Sequence, residues 1–208
     1  MKQIFNVLLM RLQSSKTTKF STGFLKLIYT LVCTMKPANF AQLMIDCLDS
    51  IQPKLFFMVM QGVLLKELPQ ITSASDRKAC GVALTKILTT TTAFTQNPAY
   101  LELWPTITTE ILKICQAPLT KDKTHLVEDQ EELLALDADE AGYQSAFARL
   151  HSIAKTEVDL TSDVPDLKAF VKMQFAGALN SPNVRNILSQ QLPPECKDFM
   201  KDALSIQV

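Results

Sequence analysis

The chain has 208 residues, with 21 Lys and Arg balancing 21 Asp and Glu, 47% hydrophobic residues, 7% aromatics and five well-separated glycines. That charge balance disfavours a uniformly basic nucleic-acid binder, and the sparse Gly and aromatic content suits an all-helical protein better than a Gly-punctuated sheet. The longest uncharged apolar stretches, 27–35 and 55–65, fall short of the roughly 18–20 residues that a membrane span requires.

The opening MKQIFNVLLMR imitates a secretory signal for a few residues, but Arg11 interrupts it and no small-residue cleavage site follows. Its spacing predicts a helix over 4–12 with Ile4, Leu8 and Leu12 on one side, ending at Ser14–Ser15. A longer helix over 17–35 repeats Phe20, Phe24, Leu27, Ile28, Leu31 and Val32, and Pro37 stops it. Together they form a hairpin. From Asn39 a short helix carries Phe40, Leu43, Met44, Cys47 and Leu48 before Pro53 kinks or restarts the chain.

The stretch 51–68, IQPKLFFMVMQGVLLKEL, is apolar nearly all round, so neighbouring helices must cover it on several sides. A helix starting at 73–76 places Cys80, Ala83, Leu84, Ile87 and Leu88 at i, i+3, i+4, i+7 and i+8, one stripe able to close over that segment as a second hairpin. Residues 104–115 follow with Ile107, Ile111, Ile114 and Cys115 inward and Pro105 in the first turn. The next helix, carrying Tyr143, Ala146, Phe147, Leu150 and Ala154, begins only after a connection at about 118–141, longer than is usual inside a compact domain. Past Pro165, Leu167, Phe170, Val171, Phe175 and Ala178 mark another helix. Ser181–Pro182 opens one with Val184, Ile187 and Leu188, and after Pro193–Pro194 a last helix turns Phe199, Met200 and Ala203 inward. Successive helical hairpins of this kind predict an all-α, HEAT-repeat-like solenoid, a single unit over 1–208.

Chemistry-bearing residues are few. Cys33, Cys47, Cys80, Cys115 and Cys196 are odd in number and widely spaced, mostly on apolar helix faces, which reads as reduced core thiols. His125 and His151 have no ligand spacing and leave little material for acid–base work, and there is no phosphate-binding Gly-rich loop. The sequence therefore predicts no enzyme, no metal and no cofactor.

The most distinctive local feature is Glu128, Asp129, Glu131, Glu132, Asp137, Asp139 and Glu140, seven acids with no base among them; without them the chain carries 21 minus 14, or +7. Such a run reads either as a solvated loop or as a docking element for a basic partner, with Leu133, Leu134 and Leu136 as an apolar side. It lacks the alternating oxygen ligands and turn glycine of a calcium loop. Lys16, Lys19, Lys26 and Lys36 give the first long helix a basic edge, read as solvated or as a contact for the acidic run or a partner's acids. Ser14 to Thr18 supplies capping residues at a hairpin turn.

RLQSSKTTKF at 11–20, IQPKLF at 51–56, KELPQI at 66–71, ELW at 102–104 and GYQSAFARL at 142–150 stand in the order and spacing found in the C-terminal region of the CAS-type exportins, importin-beta superfamily receptors that this chain resembles. The resemblance implies a nuclear export receptor segment that helps bind importin alpha together with Ran-GTP for return to the cytoplasm, with Ran holding the nucleotide and the main Ran-binding repeats lying N-terminal to the region represented here. It further implies residence in nucleus and cytoplasm, no nucleic acid and no membrane. A purely structural solenoid end without cargo contact fits the same residues.

Overall fold

The computed structural model describes residues 1–15, 17–35, 39–117 and 159–206, and all regular structure among them is helical. In chain order the helices are α1 (Lys2–Ser14), α2 (Thr18–Thr34), α3 (Phe40–Asp49), α4 (Leu55–Val59), α5 (Leu65–Glu67), α6 (Ala74–Thr90), α7 (Thr92–Gln96), α8 (Pro98–Leu101), α9 (Trp104–Gln116), α10 (Leu167–Ala178), α11 (Pro182–Gln191) and α12 (Pro194–Leu204). The expected helix that would carry Tyr143 to Ala154 lies outside the described residues.

The architecture is an all-α, solenoid-type stack. α6 lies between α2 and α10 and also packs on α3, α7 and α9, while α1 follows onto α3, α3 onto α7, and α8 onto α11. Helices after α1 thus cover most of their apolar residues on their neighbours, as stacked hairpins do.

Local chemistry sets the boundaries. Thr17 caps α2, its hydroxyl accepting from Phe20 N at 3.3 Å, and Ser73 caps α6 through Asp76 N at 3.4 Å. Asp166 caps α10, accepting from Lys168 N at 2.9 Å. Ser181 stands at the start of α11, ahead of Pro182, but makes no side-chain cap bond. α12 ends with Ser205 in the left-handed region, φ 56°, and Ile206 N returning to Met200 O at 2.9 Å, so the buried Ile206 seals the last turn.

The stretch 51–68 departs from expectation. Residues 51–54 form a turn with Lys54 at φ 61°, and the helix that follows is interrupted by a π segment, Met60–Leu64. Phe56, Val59, Met60, Leu64 and Leu68 are buried, whereas Phe57, Val63 and Leu65 are half-buried and Met58 is 42% exposed, so neighbours cover less of it than its composition demanded. The wider π turn adds a residue per turn and keeps Met60 and Leu64 on the core side.

The pairing of this segment with α6 is corrected too. The α4–α5 run packs chiefly on α2 and α3, and α6 chiefly on α2 and α10. The reason lies in α6 itself: Cys80, Ala83, Leu84, Ile87 and Leu88 are buried as expected, but so are Ala79, Gly81, Val82 and Thr85, which makes α6 a helix buried around most of its circumference and not a single stripe. Smaller corrections follow the same logic. Leu43 is 43% exposed while Ala41 and Ile45 are buried, and Ala203 is exposed while Leu204 is buried.

Gly81 marks the closest approach in the stack. A Cβ there would stand 3.0 Å from Leu167 Cδ2 and 3.2 Å from Leu167 Cδ1, whereas a Cβ at Gly23 would meet nothing within 4 Å. In urea unfolding, Gly81→Val should therefore cost roughly 1–3 kcal/mol through overpacking, and Gly23→Ala should gain about 0.5–1 kcal/mol through helix propensity; equal effects at both glycines would contradict this packing.

Candidate partner-binding surface

At the first hairpin the sequence produces an apolar surface in the open. α1 buries Phe5 and Leu12 against the core, with Leu8 and Leu9 partly covered. At 100° per residue, Ile4, Val7 and Met10 fall in an arc of about 120° on the opposite side, and they are 63%, 62% and 60% exposed. Ile4 is therefore not a core residue as its spacing suggested, because the core side of α1 is centred on Phe5 and Leu12.

Beside this face, α1 and α2 enclose a groove of about 430 Å³ whose walls include Leu8, Lys19, Phe20, Gly23, Phe24 and Leu27. The Arg11 guanidinium stands 5.9 Å from the centre of the Phe20 ring. The missing side chain of Gly23 leaves the groove open in mid-helix.

Charge is segregated along the chain. Residues 1–45 hold Lys2, Arg11, Lys16, Lys19, Lys26 and Lys36 and no acid, a net +6, so residues 46–208 carry 15 minus 21, or −6. Lys26 is drawn inward by Asp76, with Nζ 2.6 Å from Oδ2, while the Tyr29 hydroxyl donates to Oδ1 of the same carboxylate. Lys2 Nζ donates to the Ser50 carbonyl at 3.2 Å. Lys19 is exposed and makes no ion pair among the described residues, and Lys16 and Lys36 lie outside them.

Of the residues singled out from sequence, Glu128, Asp129, Glu131, Glu132, Asp137, Asp139 and Glu140 lie outside the described residues, as do His125, Leu133, Leu134, Leu136, Tyr143, Phe147 and His151. Trp104 is fully buried at the start of α9, its Nε1 donating to the Phe94 carbonyl at 2.7 Å. The α1 face and the groove were missed. Two signals could have found them: apolar residues on both sides of a short helix, and a 45-residue run without an acid.

Residues 1–203 match the family model described as CAS/CSE protein, C-terminus. This chain belongs to the CAS/CSE family. Exportin-2 of Pagrus major is 31% identical over 206 residues, covering 98% of this chain and 20% of that relative. Exportin-2 of Xenopus laevis is 32% identical over the same extent, and that of Homo sapiens is 35% identical over 158 residues, 76% of this chain and 15% of the relative. The CAS/CSE chain thus spans about a fifth of the length of the first of these relatives. No solved structure matches it.

The CAS/CSE fold keeps its reactive side chains out of play. Cys80, Cys115 and Cys196 are buried and Cys33 and Cys47 half-buried, all as free thiols. Burial pushes Cys33 and Cys115 up to about 11 and Cys80 further, so these stay protonated at neutral pH and are poor nucleophiles. Among the described residues no three His, Cys, Asp or Glu are grouped to hold a metal, and no helix is long and apolar enough to cross a membrane.

Burial also raises Tyr29 and Tyr100 well above the ordinary phenol value, and their hydrogen bonds to Asp76 and Asp49 push the same way. Unfolded tyrosines ionise near pH 10, whereas the folded ones hold their protons, so their contribution is complete below pH 10 and is lost as pH rises above it. The thiols act alike from about pH 9. Urea midpoints should be flat from pH 7 to 8, fall from about pH 9 and fall faster above 10; the Tyr29→Phe/Tyr100→Phe double variant should lose the part above 10. A midpoint that holds steady to pH 11 would contradict the buried phenol–carboxylate pairs.

Proposed function

We propose that this chain serves as a protein-recognition segment of a nuclear export receptor, helping to bind importin alpha together with Ran-GTP for return to the cytoplasm. The observation that carries this reading is the family match across residues 1–203, supported by relatives named Exportin-2. In it the chain holds no nucleotide and makes or breaks no bond; it moves between nucleus and cytoplasm with its partners. The architecture suits the task, because stacked helices flex by small changes between neighbours and a ligand gripping the array favours one curvature. Two ligands that favour the same curvature then strengthen each other reciprocally.

In this proposal the acids of 128–140 are the contact for a basic partner surface. Seven acids against a remainder of +7 form a concentrated negative element, which would speed encounter and weaken as salt screens it. The test is titration calorimetry of the 208-residue chain against importin alpha, with and without Ran-GTP, at low and high salt. Binding should tighten with Ran-GTP, and converting the seven acids to their amides should weaken it by about tenfold or more. Affinity unchanged by the seven amides would remove the run from the contact, and no binding under any condition would leave the chain as a structural end of the solenoid.

A further inference from the structure

We draw no further inference here: the strongest candidate, the Cys33 and Cys80 thiols where α2 packs on α6, carries no redox switch, because burial keeps both protonated at neutral pH and Cys33 donates to the Ala79 carbonyl at 3.5 Å, with nothing in the structure to show its sulfur meeting that of Cys80.

Discussion

Everything in the stack depends on α6 being small enough to be surrounded. Residues 79 to 85 are buried without a break, and a helix covered on that many sides must let neighbouring backbones come close. Ala79, Gly81 and Ala83 supply the small side chains, and the approach at Gly81 leaves only 3.0 Å between a hypothetical Cβ and Leu167 Cδ2. Thr85 sits fully buried in the same stretch and satisfies its hydroxyl on the Gly81 carbonyl at 2.7 Å, while Thr91 does so on Ile87 at 2.7 Å. These back-bonds let hydroxyls enter a core that has no other partner to offer them. α2 and α10 are then positioned chiefly by their contact with the same helix.

Close packing alone leaves helices free to slide, and two carboxylates remove that freedom. Asp76 on α6 receives Lys26 and the Tyr29 hydroxyl, both from α2, which fixes the register of the two helices one turn from the α6 start. Asp49 at the end of α3 receives the Tyr100 hydroxyl at 2.7 Å through Oδ2 and the Phe56 N–H at 3.0 Å through Oδ1, tying α8 and α4 to α3. Around that second clasp, Phe56, Phe57, Phe94 and Tyr100 pack with ring centres 5.1 to 6.4 Å apart. Each acid has two donors, so its partial burial is compensated and its geometry is specific. Lys78 adds a third tether, reaching the Thr161 carbonyl at 3.2 Å and holding the segment before α10 against α6.

Helix existence was legible in the sequence wherever apolar residues kept a 3.6-residue period, as along α2, α9 and α10, and the all-α class followed from that. Partner choice was not. The stripe of Cys80, Ala83, Leu84, Ile87 and Leu88 is real, yet the rest of the buried circumference of α6 holds a single large apolar residue, Val82, beside Ala79, Gly81 and Thr85, which carry almost no hydrophobic signal and show no period. The π segment at Met60–Leu64 was hidden for the opposite reason, since a stretch apolar on every side reads the same in any helical register. α7 and α8 escaped notice because five and four residues are too short to show a period, although Asn97–Pro98 is a cap followed by a first-turn proline. In the surface, Gly23 gave no warning that its missing side chain opens a groove, because nothing in a single sequence says which neighbour would have filled the space.

α2 therefore has two sides with opposite requirements. One side, through Leu25, Ile28, Tyr29 and Val32, is held against α6 and the core; the other, through Lys19, Phe20 and Gly23, borders the groove. A helix pinned on one side presents a preformed surface on the other, so whatever covers the groove need not meet the cost of ordering it, and more of the interaction energy remains as affinity. The same rigidity works in reverse. A ligand that binds only the folded hairpin stabilises it by RT ln(1 + [L]/Kd), about 2.7 kcal/mol at a hundredfold excess over Kd, and because α2 is locked to α6 by Asp76, that stabilisation is felt by the whole stack and not by α1 and α2 alone. The distribution of charge fits this division: with the acids of the chain excluded from its first 45 residues, the only carboxylate seen to reach Lys26 comes from α6, which leaves Arg11 and Lys19 at the groove edge free of internal competition among the described residues.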